Sequence, residues 1–404
     1  MKWGQMMKKK IFNWRKRSML MLVLSLFLLC PLPLVTAETG DGWVKKQAEE
    51  LPTDQVETYW QQLMKEYGGF FPDQKMPSFM DMLLQDPNGD SFSVKAGFTG
   101  LLKYMWHEVL YNGHILATIV LLSVFSSILE TFQSAFERKQ VSKVAYAICY
   151  MVILILAINS FYVAISYATE AIRGMIDFMM AMVPLLFTLL ASMGNVVTVS
   201  VTHPLVVFMV HTVGTVVHTI VFPLLFFSAV LHIVSSLSEK YKLTQLANLL
   251  RTISMTLLGV MLTVFLGVIS VKGITGSVAD GVTLRAAKYL TGNFVPVVGK
   301  VFADATDTVI SASLLVKNSI GLVGVIILLF LCAFPAIKIL TLALIYNLSA
   351  AVMQPLGETP IVSCLETIGK SMIYVFAALA AVGLMFFLAI TITLTAGNVT
   401  VMMR

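Results

Sequence analysis

The stretch SMIYVFAALAAVGLMFFLAITITLTA, residues 371–396, decides the fold class, because none of its 26 side chains is charged. About 20 consecutive apolar residues allow an α-helix to cross the hydrocarbon core of a bilayer. Further apolar runs precede it, at residues 114–132, 144–168, 178–194, 205–237, 252–273, 319–336 and 339–355. The sequence therefore predicts an all-α, polytopic helical membrane protein.

The composition of the whole chain supports this prediction. The 404 residues are 57% apolar and 12% charged, whereas soluble domains are about 45–50% apolar and about 25% charged. A soluble enzyme, a disordered chain and a disulfide-rich secreted module are thereby excluded. The net charge of +6 is uneven, since residues 1–37 carry seven basic and no acidic side chains, whereas residues 38–112 carry six basic and twelve acidic ones. The basic excess therefore does not indicate nucleic-acid binding.

Residues 1–37 have the pattern of a signal peptide. A basic start is followed by a short apolar run at residues 19–29 and by Val35-Thr36-Ala37, whose small residues suit signal peptidase. We expect cleavage after Ala37, and the alternative is an uncleaved signal anchor.

Residues 38–112 are predicted to form a small extracytoplasmic helical domain. Apolar side chains recur at helical spacing from Val56 to Tyr67, which predicts one amphipathic helix. Residues 92–111 mix aromatic and basic side chains, as helices lying in the membrane interface do. The same aromatics could instead form the core of the small domain, and the two interpretations are compatible.

Basic loops set the expected topology of the membrane domain, residues 113–404. Residues 137–143 and 240–251 are basic and are expected in the cytoplasm. Counting both 178–194 and 205–237 as spans gives the wrong parity between these loops. A weak internal repeat, 144–203 and 252–316, suggests that 169–203 and 281–316 are instead paired re-entrant or interfacial helices broken at proline. The prediction is about seven spans, with the amino terminus outside and the carboxyl terminus inside.

Interrupted helices and intramembrane ionisable residues mark the candidate site. Both features occur at transport pathways. The histidines of residues 205–237 admit two interpretations, hydrogen bonding between helices or handling of protons or solutes. The polar residues of 283–317 line an aqueous cavity or lie in a solvated loop. The candidate pore or hinge residues are Pro184, Pro204, Pro223, Pro296, His211, His218, Arg285, Lys300, Asp304 and Asp307.

No enzymatic motif is apparent in the chain. Gly369-Lys370-Ser371 resembles the end of a phosphate-binding loop, but Cys364 occupies the position of the required first glycine. We therefore expect no enzyme, no catalytic residue, no cofactor and no metal site.

Several longer stretches carry a resemblance to one family. They are LYNG at 110–113, AFER at 135–138, VSKVAY at 141–146, TQLANLLR at 244–251, TGNFVPVVG at 291–299, residues 330–340 and TIGKS at 367–371. Through these stretches the chain, from about residue 55 to 404, resembles the stage III sporulation protein AE family of endospore-forming bacteria.

The resemblance implies a function. Members of that family are polytopic components of the complex that joins the mother cell to the engulfed forespore and is required for late forespore development. They lie in the mother-cell-derived outer forespore membrane, with the amino-terminal domain in the intermembrane space. Their partners include a secretion-type ATPase and ring-forming proteins, and a homo-oligomer is a further expectation. No catalytic residues are implied.

Three hypotheses follow from this resemblance and from the sequence pattern. The first is a channel component that serves as the permease or export gate. The second is a stand-alone permease for a small solute. The third is a membrane scaffold that recruits ring-forming partners through residues 38–112.

Overall fold

The computed structural model describes residues 51, 53–71, 94–135, 139–237, 242–294, 298–356 and 359–402. This part of the chain is helical nearly throughout and contains no strand, which confirms the all-α prediction. The predicted signal peptide and Pro296 lie outside the described residues.

Nine α-helices follow one another along the described chain. They are α1 (Asp54–Tyr67), α2 (Val94–Tyr111), α3 (Gly113–Ala135), α4 (Lys139–Ser192), α5 (Val196–Val216), α6 (Phe222–Leu237), α7 (Thr244–Phe294), α8 (Val298–Met353) and α9 (Pro360–Met402). A π-helical turn, Val217–Val221, joins α5 to α6. Short 3-10 turns, Gly68–Phe70 and Gln354–Leu356, follow α1 and α8.

Six helical stretches of the described chain are long and apolar enough to cross a membrane. They are Lys95–Ile128, Val144–Ser192, Val196–Ser236, Thr244–Ala286, Val309–Met353 and Pro360–Asn398. The stretch in α4 has 49 residues, which is about 74 Å of helix at about 1.5 Å per residue. The hydrocarbon core of a bilayer is only about 30 Å thick. The longest helices therefore extend well beyond it.

The division into spans differs from the sequence prediction of seven. Runs 144–168 and 178–194 belong to the one helix α4, and runs 319–336 and 339–355 fall almost entirely in α8. Polar residues such as Lys338 interrupt the apolar pattern without interrupting the helix. Helix continuity depends on backbone hydrogen bonds, whereas the apolar pattern records only side chains.

The segments expected to re-enter the membrane are the ends of long helices. Residues 169–203 comprise the end of α4, a tight turn and the start of α5. Gly194 in this turn has φ 86°, a conformation that suits glycine, and an added Cβ would lie 2.8 Å from Leu284. In the same way, α7 ends at Phe294 and α8 begins at Val298, so that 281–316 also contains two helix ends.

Helices α8 and α9 form the centre of the bundle. They make the most extensive contact in the structure, and α9 also packs against α4, α6 and α7. Gly321 of α8 allows this close approach, since an added Cβ would collide with Leu394 of α9, and a Cβ on Gly324 would likewise collide with Met182 of α4. These glycines serve packing within the chain.

Helix α1 is docked on the bundle through its apolar face. Val56, Trp60 and Leu63 are buried, as the helical spacing predicted. The ring of Tyr67 stacks on that of Phe334 in α8, with centroids 3.8 Å apart and planes within 3°. The Tyr59 ring meets Phe178 of α4 edge-on at 5.7 Å. The apolar face of α1 thus belongs to the same core as the membrane helices.

Helix α2 packs on the bundle through one side only. Tyr104 is 3% exposed and packs edge-on against Phe334. Phe98 and Trp106, by contrast, are each 64% exposed. One side of α2 therefore joins the core, and the other presents aromatic surface.

Candidate functional site: two polar cavities beside helix α4

Three of the candidate prolines lie in the described part of the chain, and they do not all interrupt helices as the sequence predicted. Pro184 lies inside α4 and Pro204 inside α5, so the predicted helix breaks at these two positions are wrong. A proline removes one backbone donor from a helix, and neighbouring groups can satisfy the freed carbonyls in membrane helices. The turn that ends α4 lies instead around Gly194.

Pro223 is associated with a local change of helix type. It is the second residue of α6, and α6 begins directly after the π-helical turn Val217–Val221. A proline ring clashes with the carbonyl of the residue four positions earlier, and the wider π turn relieves such a clash. Turns of this kind are frequent at functional sites, and this one contains His218.

Two of the predicted histidines line a cavity between α4 and the α5–α6 segment. We call it the basic cavity. Its volume is about 270 Å³, and Arg173 of α4 faces it together with His211 and His218. The other lining residues are Thr169, Ile172, Ile176, Gly214, Thr215, Thr219 and Phe222. The cavity thus has three basic groups and three hydroxyl groups.

A second cavity lies between α1, α4 and α8, and we call it the α1 cavity. Its volume is also about 270 Å³, and its charged lining residues are Glu66, Glu170 and Lys338. The Lys338 ammonium lies 5.0 Å from the Tyr167 ring centroid and 6.0 Å from that of Tyr67, within the range of cation–π attraction. Helix α1 therefore closes one side of a polar space.

Tyr67 remains neutral where it lines the α1 cavity. Burial, together with a hydrogen bond to the neighbouring Glu66 carboxylate, raises the pKa of the Tyr67 phenol well above its usual value. A neutral phenol can donate a hydrogen bond to a carboxylate. Tyr67 thus contributes both a stacked ring and a polar group to the contact between α1 and the bundle.

One short segment of α4 separates the two cavities. Glu170 and Gly174 line the α1 cavity, whereas Thr169 and Arg173 line the basic cavity. This segment lies about halfway along the apolar stretch Val144–Ser192. The charged residues of the predicted re-entrant segment 169–203 therefore lie near its start.

Sequence reasoning missed Asp280, which is 2% exposed. Its two carboxylate oxygens accept hydrogen bonds from the backbone N–H groups of Val197 and Thr198, each at 2.9 Å. These donors belong to the first turn of α5, where no helical partner exists. Asn195 at the preceding N-cap position makes no side-chain cap. The acid on α7 therefore caps α5 across the bundle, a pairing that the sequence spacing does not reveal.

Lys317 is another buried charged group. Its side chain is fully buried in α8. The ammonium donates to the Leu394 carbonyl at 2.8 Å and to Asn398 Oδ1 at 2.7 Å. Both acceptors lie in α9, so that Lys317 links the two central helices near the level of the α4–α5 turn.

The histidines divide between the two interpretations left open by the sequence. His232 Nε2 lies 3.2 Å from Asn248 Oδ1, which joins α6 to α7. His211 and His218 instead line the basic cavity. Hydrogen bonding between helices therefore describes His232 alone of these three.

The remaining candidate residues lie elsewhere. Arg285 is exposed on α7, and Asp307 is partly buried on α8. Neither lines the two cavities. Lys300 and Asp304 lie on the backbone of α8, and their side chains lie outside the described part. Among the described residues no group of three metal-binding side chains comes together.

Comparison with known proteins identifies the family. Residues 76–397 match the family model described as stage III sporulation protein AE. The chain belongs to the stage III sporulation protein AE family. A curated relative, stage III sporulation protein AE of Bacillus subtilis (strain 168), is 53% identical over 369 residues, which cover 91% of this chain and 92% of the relative.

The family membership confirms the resemblance found in the sequence. It places the chain among sporulation proteins, and the six apolar helices make it a multi-pass membrane protein. No solved structure matches the chain. The geometry of the two cavities is therefore described from this stage III sporulation protein AE family member alone.

Proposed function

We propose that the protein is an integral membrane component of the channel between the mother cell and the engulfed forespore, and that its helical bundle is the permease or export gate. Family membership supports the sporulation process. The channel and its partners, a secretion-type ATPase and ring-forming subunits, follow from the family resemblance.

The basic cavity is the observation that carries the gate role. Arg173, His211 and His218 are exposed on the bundle about halfway along their apolar stretches, and Glu170 and Asp177 are the charged neighbours of Arg173 in α4. A charged side chain near the centre of a membrane helix costs about 2.5–3.5 kcal/mol on insertion scales. Such groups are retained where they face water or a bound solute. The basic cavity would then belong to a wet pathway.

The topology proposed from the helices differs from that of seven spans. If each of the six apolar stretches crosses once and the amino terminus is outside, both basic loops fall in the cytoplasm. The α4–α5 turn then faces the intermembrane space. With six spans the end of α9 lies outside, whereas the seven-span prediction placed it inside.

The docking of α1 narrows the scaffold hypothesis to the other surfaces of residues 38–112, which include the exposed aromatic side chains Phe98 and Trp106 of α2. A recruiting domain needs a free surface, and the apolar face of α1 is already packed on α4 and α8. The stand-alone permease is less well supported than a complex component, because the matched family is a sporulation family.

The gate role is tested by removing the polar groups of the basic cavity. The variant carries Arg173→Leu, His211→Leu and His218→Leu, and Lys272→Leu is the matched control, since Lys272 is exposed on α7 outside the cavity. In sporulating cells we expect at least a tenfold fall in late forespore gene expression for the triple variant. Protein abundance and recruitment of the ring-forming subunits should be unchanged in both variants.

Two outcomes would contradict the proposal. Normal forespore gene expression in the triple variant would remove the gate role from this cavity. Loss of ring recruitment at normal abundance would favour the scaffold. Solute flux through the purified protein in liposomes, alone and with its partners, then distinguishes a complete permease from a channel component.

A further inference from the structure

We propose that the basic cavity is a binding site for an oxyanion, a carboxylate or phosphate group. This inference deepens the proposed function, because it names the class of solute that the cavity would hold. Its test measures binding and not flux, so that either proposal can fail without the other.

The lining groups have the chemistry of an oxyanion site. Arg173 projects from α4 toward His211 and His218 on the opposite side of the same cavity. A guanidinium presents several N–H donors in a planar fork that matches carboxylate and phosphate oxygens. Imidazoles add further N–H donors. The hydroxyl groups of Thr215 and Thr219 complete a donor-rich wall.

Arg173, His211 and His218 have no hydrogen-bonding or ionic partner in the described part of the chain, in contrast to similar groups nearby. Arg251 donates to Asn248 Oδ1 at 2.5 Å and lies over the Tyr374 ring, 4.9 Å from its centroid. His232 is likewise hydrogen-bonded. Among the described residues no hydrogen bond or ion pair engages the side chains of Arg173, His211 or His218. Their donors therefore remain available to a ligand.

Two acidic residues of α4 lie within about one helical turn of Arg173, Glu170 three positions before it and Asp177 four positions after it. Glu170 lines the α1 cavity, and Asp177 is absent from the lining of both cavities. Among the described residues no ion pair joins either carboxylate to Arg173. The lining of the basic cavity therefore contains a guanidinium and no carboxylate, which favours an anion.

The volume suits a small oxyanion group with its water. A cavity of about 270 Å³ is far larger than the roughly 10–15 Å³ that a single bound water requires. A phosphate or carboxylate group fits beside several waters. The apolar side chains of Ile172, Ile176 and Phe222 bound the space and limit the competing hydration.

Two sources can supply the same oxyanion chemistry. One is a dissolved anion that enters from water, and the other is the phosphate of an anionic lipid headgroup at the surface of the bundle. Inorganic phosphate and phosphatidylglycerol are the corresponding probes. A neutral lipid, phosphatidylcholine, provides the comparison for the second source, because its headgroup has no net charge.

The test measures protection of the cavity histidines in the full-length protein. Diethyl pyrocarbonate modifies accessible imidazoles, and peptide mass spectrometry gives a modification rate for each histidine. His114 is exposed on α3 and serves as the internal control. In detergent, phosphate is compared with chloride at equal ionic strength. In nanodiscs, phosphatidylglycerol is compared with phosphatidylcholine. We expect at least threefold slower modification of His211 and His218 and an unchanged rate at His114.

A substitution links the protection to the cavity. Arg173→Gln should raise the anion concentration needed for half-protection at least tenfold, and Lys272→Gln should leave it unchanged. Wild-type protection does not depend on the folding of any variant. Protection by phosphate in detergent supports a dissolved anion, and protection by phosphatidylglycerol alone supports a lipid headgroup.

Three results would overturn the proposal. They are no protection by either probe, equal protection of His114, and protection that Arg173→Gln leaves intact. Binding without any transport would instead contradict the gate role and leave the oxyanion site standing.

Discussion

At the scale of single residues, Asp280 fixes the position of one helix end. Its carboxylate holds two N–H groups in the first turn of α5, where the positive end of the helix dipole also favours a negative charge. Close packing supports the contact, because a Cβ on Gly276 would lie 3.0 Å from the Thr198 Cα atom. The α4–α5 hairpin is therefore attached to α7 at its tip.

Substitution of Asp280 should lower the stability of the protein. Hydrogen bonds to charged groups are worth about 1.5–3 kcal/mol each, so we expect Asp280→Ala to cost about 3 kcal/mol or more. Asp280→Asn keeps one acceptor oxygen and should cost about half as much. Thermal unfolding in detergent measures the effect.

The control for Asp280 is an acid in an exposed ion pair. Glu366→Gln disrupts the pair with Lys370, in which the side chains are 52% and 59% exposed. Exposed pairs are worth about 0–1 kcal/mol, so this variant should unfold close to the wild type. The capping role of Asp280 is refuted if the unfolding temperature of Asp280→Ala is no lower than that of this control.

At the scale of elements, α1 depends on aromatic contacts with the bundle. Tyr67→Ala removes the ring that stacks on Phe334, and removal of a large aromatic side chain from a core costs about 3–5 kcal/mol. We expect α1 to detach locally, so that hydrogen exchange of residues 54–67 accelerates at least tenfold while α9 remains protected.

Tyr67→Phe is the matched control for this detachment. It keeps the stacked ring and removes only the hydroxyl group, so that exchange in α1 should stay within about threefold of the wild type. Equal acceleration in α1 and α9 would show that Tyr67 stabilises the whole bundle and not the docking of one helix.

The elements also show what sequence patterns can and cannot predict. The spacing of Val56, Trp60 and Leu63 correctly predicted the buried face of α1, because helical periodicity reflects burial directly. The partner of that face was not predictable, since α8 lies more than 200 residues further along the chain. Pro184 was misjudged because proline removes one donor but does not by itself determine where a helix ends.

The candidate site was partly predicted at this scale. His211 and His218 were identified by their positions in an apolar helix, and both line the basic cavity. The contribution of Arg173 depends on the packing of α4 beside α5, which no local pattern encodes. Asp280 was missed for the same reason, because its partners are backbone groups of another helix.

At the scale of the whole molecule, the six apolar helices predict a specific topology. Cysteines introduced by Val196→Cys and Thr395→Cys should react with an impermeant maleimide from the exported side. Lys242→Cys should react only after permeabilisation. All three positions are exposed, whereas native Cys149 and Cys364 are buried. Inside-only labelling at Thr395→Cys would favour seven spans and contradict six.

The overall class was predictable, whereas the division of the apolar runs among helices was not. Apolar runs indicate which segments avoid water, and they correctly predicted an all-α membrane protein. They do not report whether two runs share one helix, since Lys338 interrupts a run while the backbone of α8 continues through it.

Helix α4 forms one wall of both cavities, and this shared wall links them thermodynamically. A ligand that shifts α4 toward α5 also changes the space beneath α1, and release of α1 changes the surroundings of Arg173. Coupling between two sites is reciprocal by necessity. The strength with which α1 is docked on α4 and the affinity of the basic cavity should therefore change together, because both depend on the position of α4.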